Sequence, residues 1–213
     1  MSGSEVFEEI AKFERRLGLP AQFYLSLLEE ADWGFVIKLH SLFEGAATHV
    51  LSLRLGSGKL EAALAHLDFS DTKYGKSRLL LDLGILAKDQ YTFLRKLSEL
   101  RNLLVHQVRN VAFSFEQHVA SLDPNQLKSF CDQIGYNTRD HITIEAVVVA
   151  RNQFIRENAK LTIWLTGSDI LGCLLVEEQF VELEANEKQL KAQELAFARR
   201  IDDMYALIPL VSR

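Results

Sequence analysis

The chain has 213 residues, 48% hydrophobic and 25% charged, a length and balance that fit one substantial core in a soluble globular protein. Its formal net charge of -5 removes the global positive field that drives tight, sequence-independent nucleic-acid binding. Two cysteines, Cys131 and Cys173, stand far apart with no CxxC pair, which excludes a disulfide scaffold and argues against a zinc site, so neither metal nor cofactor is expected.

The first residues, MSGSEVFEEI, are acidic and lack a basic segment followed by an apolar run. The longest uninterrupted apolar stretches, such as ILGCLLV at 170 to 176, are too short to span a bilayer, and the expectation is a cytoplasmic protein without a membrane anchor. Only three prolines interrupt leucines spaced by three and four, which predicts an all-α, multi-helix bundle with a long C-terminal helix. Residues 1–30 read as an N-terminal helical segment and 31–213 as a bundle with a single core.

In chain order, a first helix over about 4 to 17 places Val6, Phe7, Ile10, Phe13 and Leu17 on one face. Gly18 and Pro20 stop it, with Pro20 suited to the first turn of the next helix. From about 33 to 55, Phe35, Leu39, Leu42, Phe43, Ala46, Val50 and Leu53 keep a broad apolar face up to Gly56, as a central bundle helix should. A short helix around LEAALAHL, a turn-rich loop DFSDTKYGK and a compact helix RLLLDLGIL closing near Gly84 follow. The next helix runs from about Asp89 to Val105 with Phe93, Leu97, Leu100 and Leu104 inward.

Beyond it, VAFSFEQ alternates enough to suggest a small β element near 111 to 115, and Asp123 caps a helix PNQLKSFCDQI with proline first. The segment HITIEAVVVARNQFIRENAKLTIWL has β-branched runs that disfavour a helix, but its length and lack of turn residues lead us to read it as a buried helix. TGSD at 166 to 169 should break that helix and recap the next, a long amphipathic one with a solvent-facing charge run.

The one chemical constellation lies in ELRNLLVHQVRN, residues 99 to 110, where Arg101, Asn102 and His106 fall within about one and a half helical turns. His106 has the titration range of a general acid or base, and the Arg101 guanidinium suits phosphoryl charge. Asn102 shares a face with His106, whereas Arg101 is rotated by about 140° from it, so convergence requires fraying, long reach or a second subunit. The reading we favour is architectural: Arg101 and Asn102 cap or bridge neighbouring segments, and His106 complements the dipole at a helix C-terminus. Arg109-Asn110 and Arg151-Asn152 lack a histidine at that spacing, and His40, His49, His66, His118 and His141 read as ordinary core or surface residues. No phosphate-cradling GxxxxGK[ST] loop, GxSxG elbow or HExxH pair is present.

The run KYGKSRLLLDLGILAKDQYTFLRKLSELRNLLVHQ, followed by VAFSFEQ and LKSFCDQIG, resembles the mannitol operon repressor family and its wider HEPN-like helical relatives. The likeness covers about 35 to 200 at the level of fold, and its specific part is about 74 to 135. It implies a bacterial regulatory helical bundle that forms a homodimer and works through a protein partner in transcriptional control. It also implies an alternative, metal-independent RNA cleavage in which Arg101 stabilises phosphorane-like charge, Asn102 orients and His106 assists proton transfer. Toxin-type relatives continue His-x-Tyr where this chain has Val108, and no helix-turn-helix or basic recognition helix is evident.

Overall fold

Residues 3–56, 58–106, 108–144 and 147–211 are described by the computed structural model. The fold is organised around helix α3 (Asp32–Arg54), whose apolar residues recur on nearly every side. Phe35, Leu39, Leu42, Phe43, Ala46 and Val50 are all buried, and α3 packs against four further helices: α4 (Glu61–Ala65), α5 (Lys76–Asp82), α6 (Lys88–Val105) and α10 (Ala159–Val211). A helix apolar all round belongs inside a bundle. Edge-to-face aromatic packing joins α3 to α6, with the rings of Phe43 and Phe93 centred 6.3 Å apart.

The N-terminal helix α1 (Gly3–Arg16) buries Ile10 and Phe13 in the same core, while Leu17 is half-buried. The side chains of Val6 and Phe7 lie outside the described residues. Gly18 and Gly56, at φ 71° and 77°, close α1 and α3 in the left-handed conformation that glycine adopts without steric cost. Pro20 does not enter the next helix as expected: α2 (Phe23–Ser26) starts three residues later, after a turn in which Phe23 N–H donates to Pro20 C=O. Tyr24 then stacks on Trp164 with ring centres 5.0 Å apart, its hydroxyl donating to Trp164 C=O and the indole Nε1–H to Tyr24 C=O at 2.8 Å.

The expected β element near 111 to 115 is instead a 3₁₀ turn, Val108–Ala112, followed by helix α7 (Phe115–Ser121). Ser114 caps that helix, and Asp32 Oδ2 accepts from Phe115 N–H at 2.9 Å, so local capping outweighs a short alternation. Helix α8 (Pro124–Ile134) forms as read, with Asp123 Oδ1 accepting from Asn125 and Gln126 N–H and Gln126 Oε1 accepting in return from Asp123 N–H.

The segment expected as one buried helix is a hairpin, a short helix and, from Ala159, the start of α10. Strands β1 (His141–Ile144) and β2 (Val147–Ala150) pair antiparallel, His141 opposite Ala150, and α9 (Arg151–Glu157) follows. Ile142 and Val149 pack on the core while Val147 and Val148 face solvent, so the β-branched residues do serve a strand's two faces. Arg151 anchors the hairpin to the end of α8, donating to the carbonyls of Cys131 and Gly135 and to Asp132.

The expected break at 166 to 169 is also overturned, because α10 runs through it without interruption. Each of its turn-favouring residues has a partner: Thr166 donates to Asn137 Oδ1, Ser168 to Leu165 C=O, and Asp169 accepts from Gln90 and Tyr136. Gly167 lies where a Cβ would come within 2.8 Å of Tyr24 Oη and 3.3 Å of Phe43. It is a close-approach glycine and not a terminator.

The first part of α10 is core: Ile163, Trp164, Ile170, Leu171, Leu174 and Leu175 are buried. An 18-residue window here is apolar and long enough to cross a membrane by length and composition, which uninterrupted runs alone concealed; 56% of it is buried inside the bundle, as in a core helix. The bundle's grip on α10 ends where Arg54 reaches Glu177 at 3.3 Å and Glu184 at 3.8 Å and lies over the Phe180 ring. From Ala185 to Met204 every described side chain is exposed, so this stretch of the helix runs roughly 30 Å through solvent at 1.5 Å per residue.

Candidate functional site

The end of α6 carries the three residues singled out by sequence. Arg101 is half-buried, and its Nη1 donates to Asn102 Oδ1 at 3.1 Å; Asn102 and His106 are exposed. His106 is the C-cap of α6, at φ -79° and ψ -11°, where a protonated imidazole would complement the helix dipole. Among the described residues no hydrogen bond or ion pair joins it to Arg101 or Asn102. The structure thus joins Arg101 to Asn102 and shows no bond from either to His106. Asn110 folds back so that its Nδ2 donates to Leu103 C=O at 2.6 Å, satisfying one of the last carbonyls of α6.

The histidine that Arg101 faces electrostatically is His40. It is buried on α3, its Nε2 3.1 Å from Ser98 Oγ and its ring edge-on to Phe69. Ser98 has one hydroxyl proton and donates it to Leu94 C=O at 2.9 Å, so the imidazole must supply the proton between them. That assigns the Nε2–H tautomer and leaves Nδ1 bare toward Glu44 Oε2, 4.0 Å away. Burial pushes His40 down to about 4; Glu44 opposes that and the Arg101 charge adds to it. Glu44 is committed through its other oxygen to Lys76, 3.0 Å away and only 1% exposed.

Lys76 is held in place by the loop before it. Asp68 Oδ1 accepts from the backbones of Ser70 and Asp71, Asp71 Oδ1 from those of Lys73 and Tyr74, and Asp68 C=O from Lys76 N–H. Gly75 is required within it, since a Cβ there would meet Asp71 C=O at 2.4 Å.

This buried polar cluster escaped a reading by motif because its members come from different helices. A weaker signal was available: His40 and Glu44 are one turn apart on α3, as are Ser98 and Arg101 on α6, each interrupting an otherwise apolar stripe. The cluster's chemistry is structural. At neutral pH His40 is uncharged, and its proton is already engaged.

A cavity of about 860 Å³ opens beside it, lined by Leu42, Glu44, His49, Arg16, Lys38 and Lys76 among others. Its cations are already matched: Lys76 by Glu44, Lys38 by Glu30 and Arg16 by Glu178 at 3.3 Å. His49 donates to the second oxygen of that buried glutamate at 2.8 Å. Among the described residues no group of three or more His, Cys, Asp or Glu side chains could hold a metal ion. Cys131 is buried, with burial raising its thiol, and the half-buried Cys173 accepts from Gln90 Nε2 at 3.0 Å.

The remaining candidate is a surface. Along the outer part of α10, Val176, Leu183, Leu190, Phe197 and Met204 are each 60 to 69% exposed. Apolar side chains that large, aligned on a helix leaving its bundle, are unusual for a surface meant to face water. No known protein family, curated protein or solved structure matches this chain.

Proposed function

We propose that the chain is a mannitol-operon-repressor-like regulatory protein that acts by protein association in transcriptional control, with the projecting part of α10 as the surface it acts through. The observation that carries this reading is the exposed apolar row on that helix. The net charge of -5 favours protein over nucleic-acid contact. The bacterial and cytoplasmic setting belongs to the same proposal.

The test compares affinity capture by the full chain from its own cells with capture by a variant carrying Leu183→Glu, Leu190→Glu and Phe197→Glu. All three positions are exposed, so the bundle should keep its circular dichroism and melting temperature. The expected result is a defined set of bound proteins lost in the variant; identical capture by both chains would remove the reading.

Metal-independent RNA cleavage is the second reading, favoured by the Arg101 to Asn102 hydrogen bond beside an exposed His106. On this reading His106 converges with Arg101 through fraying of the helix end, the reach of the arginine or a second copy of the chain. Purified protein incubated with a mixed RNA pool in excess chelator should leave it intact. Chelator-resistant cutting that falls by about a hundredfold or more with His106→Ala would instead make Arg101, Asn102 and His106 the centre of an enzyme.

A further inference from the structure

We infer that the occupant of the α10 surface is a second copy of this chain, paired antiparallel along residues 176–204; this rests on the association reading and names its partner. The spacing comes first. Val176, Leu183, Leu190, Phe197 and Met204 recur every seven residues, and Phe180 and Ile201, 48% and 36% exposed, fall four residues after Val176 and Phe197. Alternating steps of four and three form the seam of a two-helix coiled coil, and here the two central intervening positions, 187 and 194, hold glutamate while the outer two are apolar. Covering these side chains in two copies removes on the order of 1,000 Å² of apolar surface from water, the size at which specific interfaces begin.

Charge then chooses the occupant and its direction. Residues 177–187 carry five glutamates and no lysine or arginine, whereas 188–200 carry Lys188, Lys191, Arg199 and Arg200 against Glu194 alone. Glu177 and Glu178 are already met by Arg54 and Arg16 of the bundle. Glu182 and Glu184 also lie 3.5 and 3.8 Å from Arg16 and Arg54, and Glu187 pairs with Lys191 one turn on, but these three side chains stay 55, 41 and 65% exposed. Parallel pairing would set these carboxylates against their own copies and place Glu187 and Glu194 face to face within the seam. Antiparallel pairing about Leu190 sets residues 188–200 along residues 180–192 of the second copy, so that the block holding Lys188, Lys191, Arg199 and Arg200 runs beside the block holding Glu182, Glu184 and Glu187. The helix is complementary to itself only when reversed.

Light scattering and spin-label distances test this on the full chain. Wild type should have a dimer's mass throughout the micromolar range, and the Leu183→Glu, Leu190→Glu, Phe197→Glu variant should be a folded monomer. For direction, Ala192→Cys and Ala198→Cys, each in a Cys173→Ser background, carry a label off the seam and leave every charge in place. Antiparallel helices separate the two labels at 198 further along the axis than those at 192, by roughly 20 Å at 1.5 Å per residue. Equal distances at both sites, a wild-type dimer unaffected by the triple variant, or a monomeric wild type would each overturn the inference. If wild type is monomeric yet captures another protein that the triple variant loses, the association reading stands and only self-pairing falls; if neither occurs, both fall.

Discussion

His40 shows how one buried side chain can couple the fold to pH. Its proton affinity is lowered by burial to about 4 in the folded chain, from an ordinary value of 6.5. The unfolded chain therefore binds more protons between those values, and stability contributed by the neutral ring is present above about 6.5 and lost as pH falls toward about 4. The loss amounts to as much as about 3 kcal/mol for a shift of this size. His118, also lowered by burial, acts in the same direction. We expect urea unfolding to show declining stability across this window and His40→Gln to flatten the decline, whatever its effect at pH 7. An unchanged slope in the variant would show that His40 does not carry the effect.

At the scale of elements, Gly167 decides whether α10 can approach α2 and α3. A Cβ there would meet Tyr24 Oη at 2.8 Å and Phe43 at 3.3 Å. Gly167→Ala is a favourable change for an isolated helix, worth about 1 kcal/mol of propensity, so a net loss would be the mark of this contact. We expect a loss of about 1 to 3 kcal/mol, typical of overpacking, read as a lower melting temperature; a gain would show that Tyr24 moves aside freely. The same residue explains why part of the fold was hidden in the sequence. Elements ended by local chemistry were legible: Asp123 with Pro124 opens α8, and left-handed glycines close α1 and α3. TGSD resembles a break because its residues favour turns alone, yet Asn137, Gln90 and Tyr136, distant in sequence, give the side chains of Thr166 and Asp169 partners within a helix. The hairpin was concealed by the reverse error, in which segment length was weighed above β-branching. In the candidate site, adjacency made Arg101 and Asn102 legible as a pair, whereas His40 reaches Ser98 only through the packing of α3 on α6.

For the whole molecule, the division of α10 between core and projection makes stability and assembly separable. Among the described residues every member of the hydrophobic core lies at or before Leu175, so removing 189–213 takes away none of these. We expect the shortened chain to keep a cooperative melt, losing only helical signal. If copies pair through the removed segment, unfolding of the full chain depends on its concentration, because such a dimer must separate as it unfolds. A tenfold rise in concentration then contributes about 1.4 kcal/mol per dimer. Divided between two chains of this size, that raises the melting temperature by roughly 2 °C. The shortened chain should show no such rise. Reversible melts of both chains over two decades of concentration therefore distinguish a projection that joins copies from one that does not. Equal, concentration-independent transitions would rule out stabilisation by pairing, and loss of cooperativity on shortening would mean that the projection supports the bundle through contacts the monomer does not display.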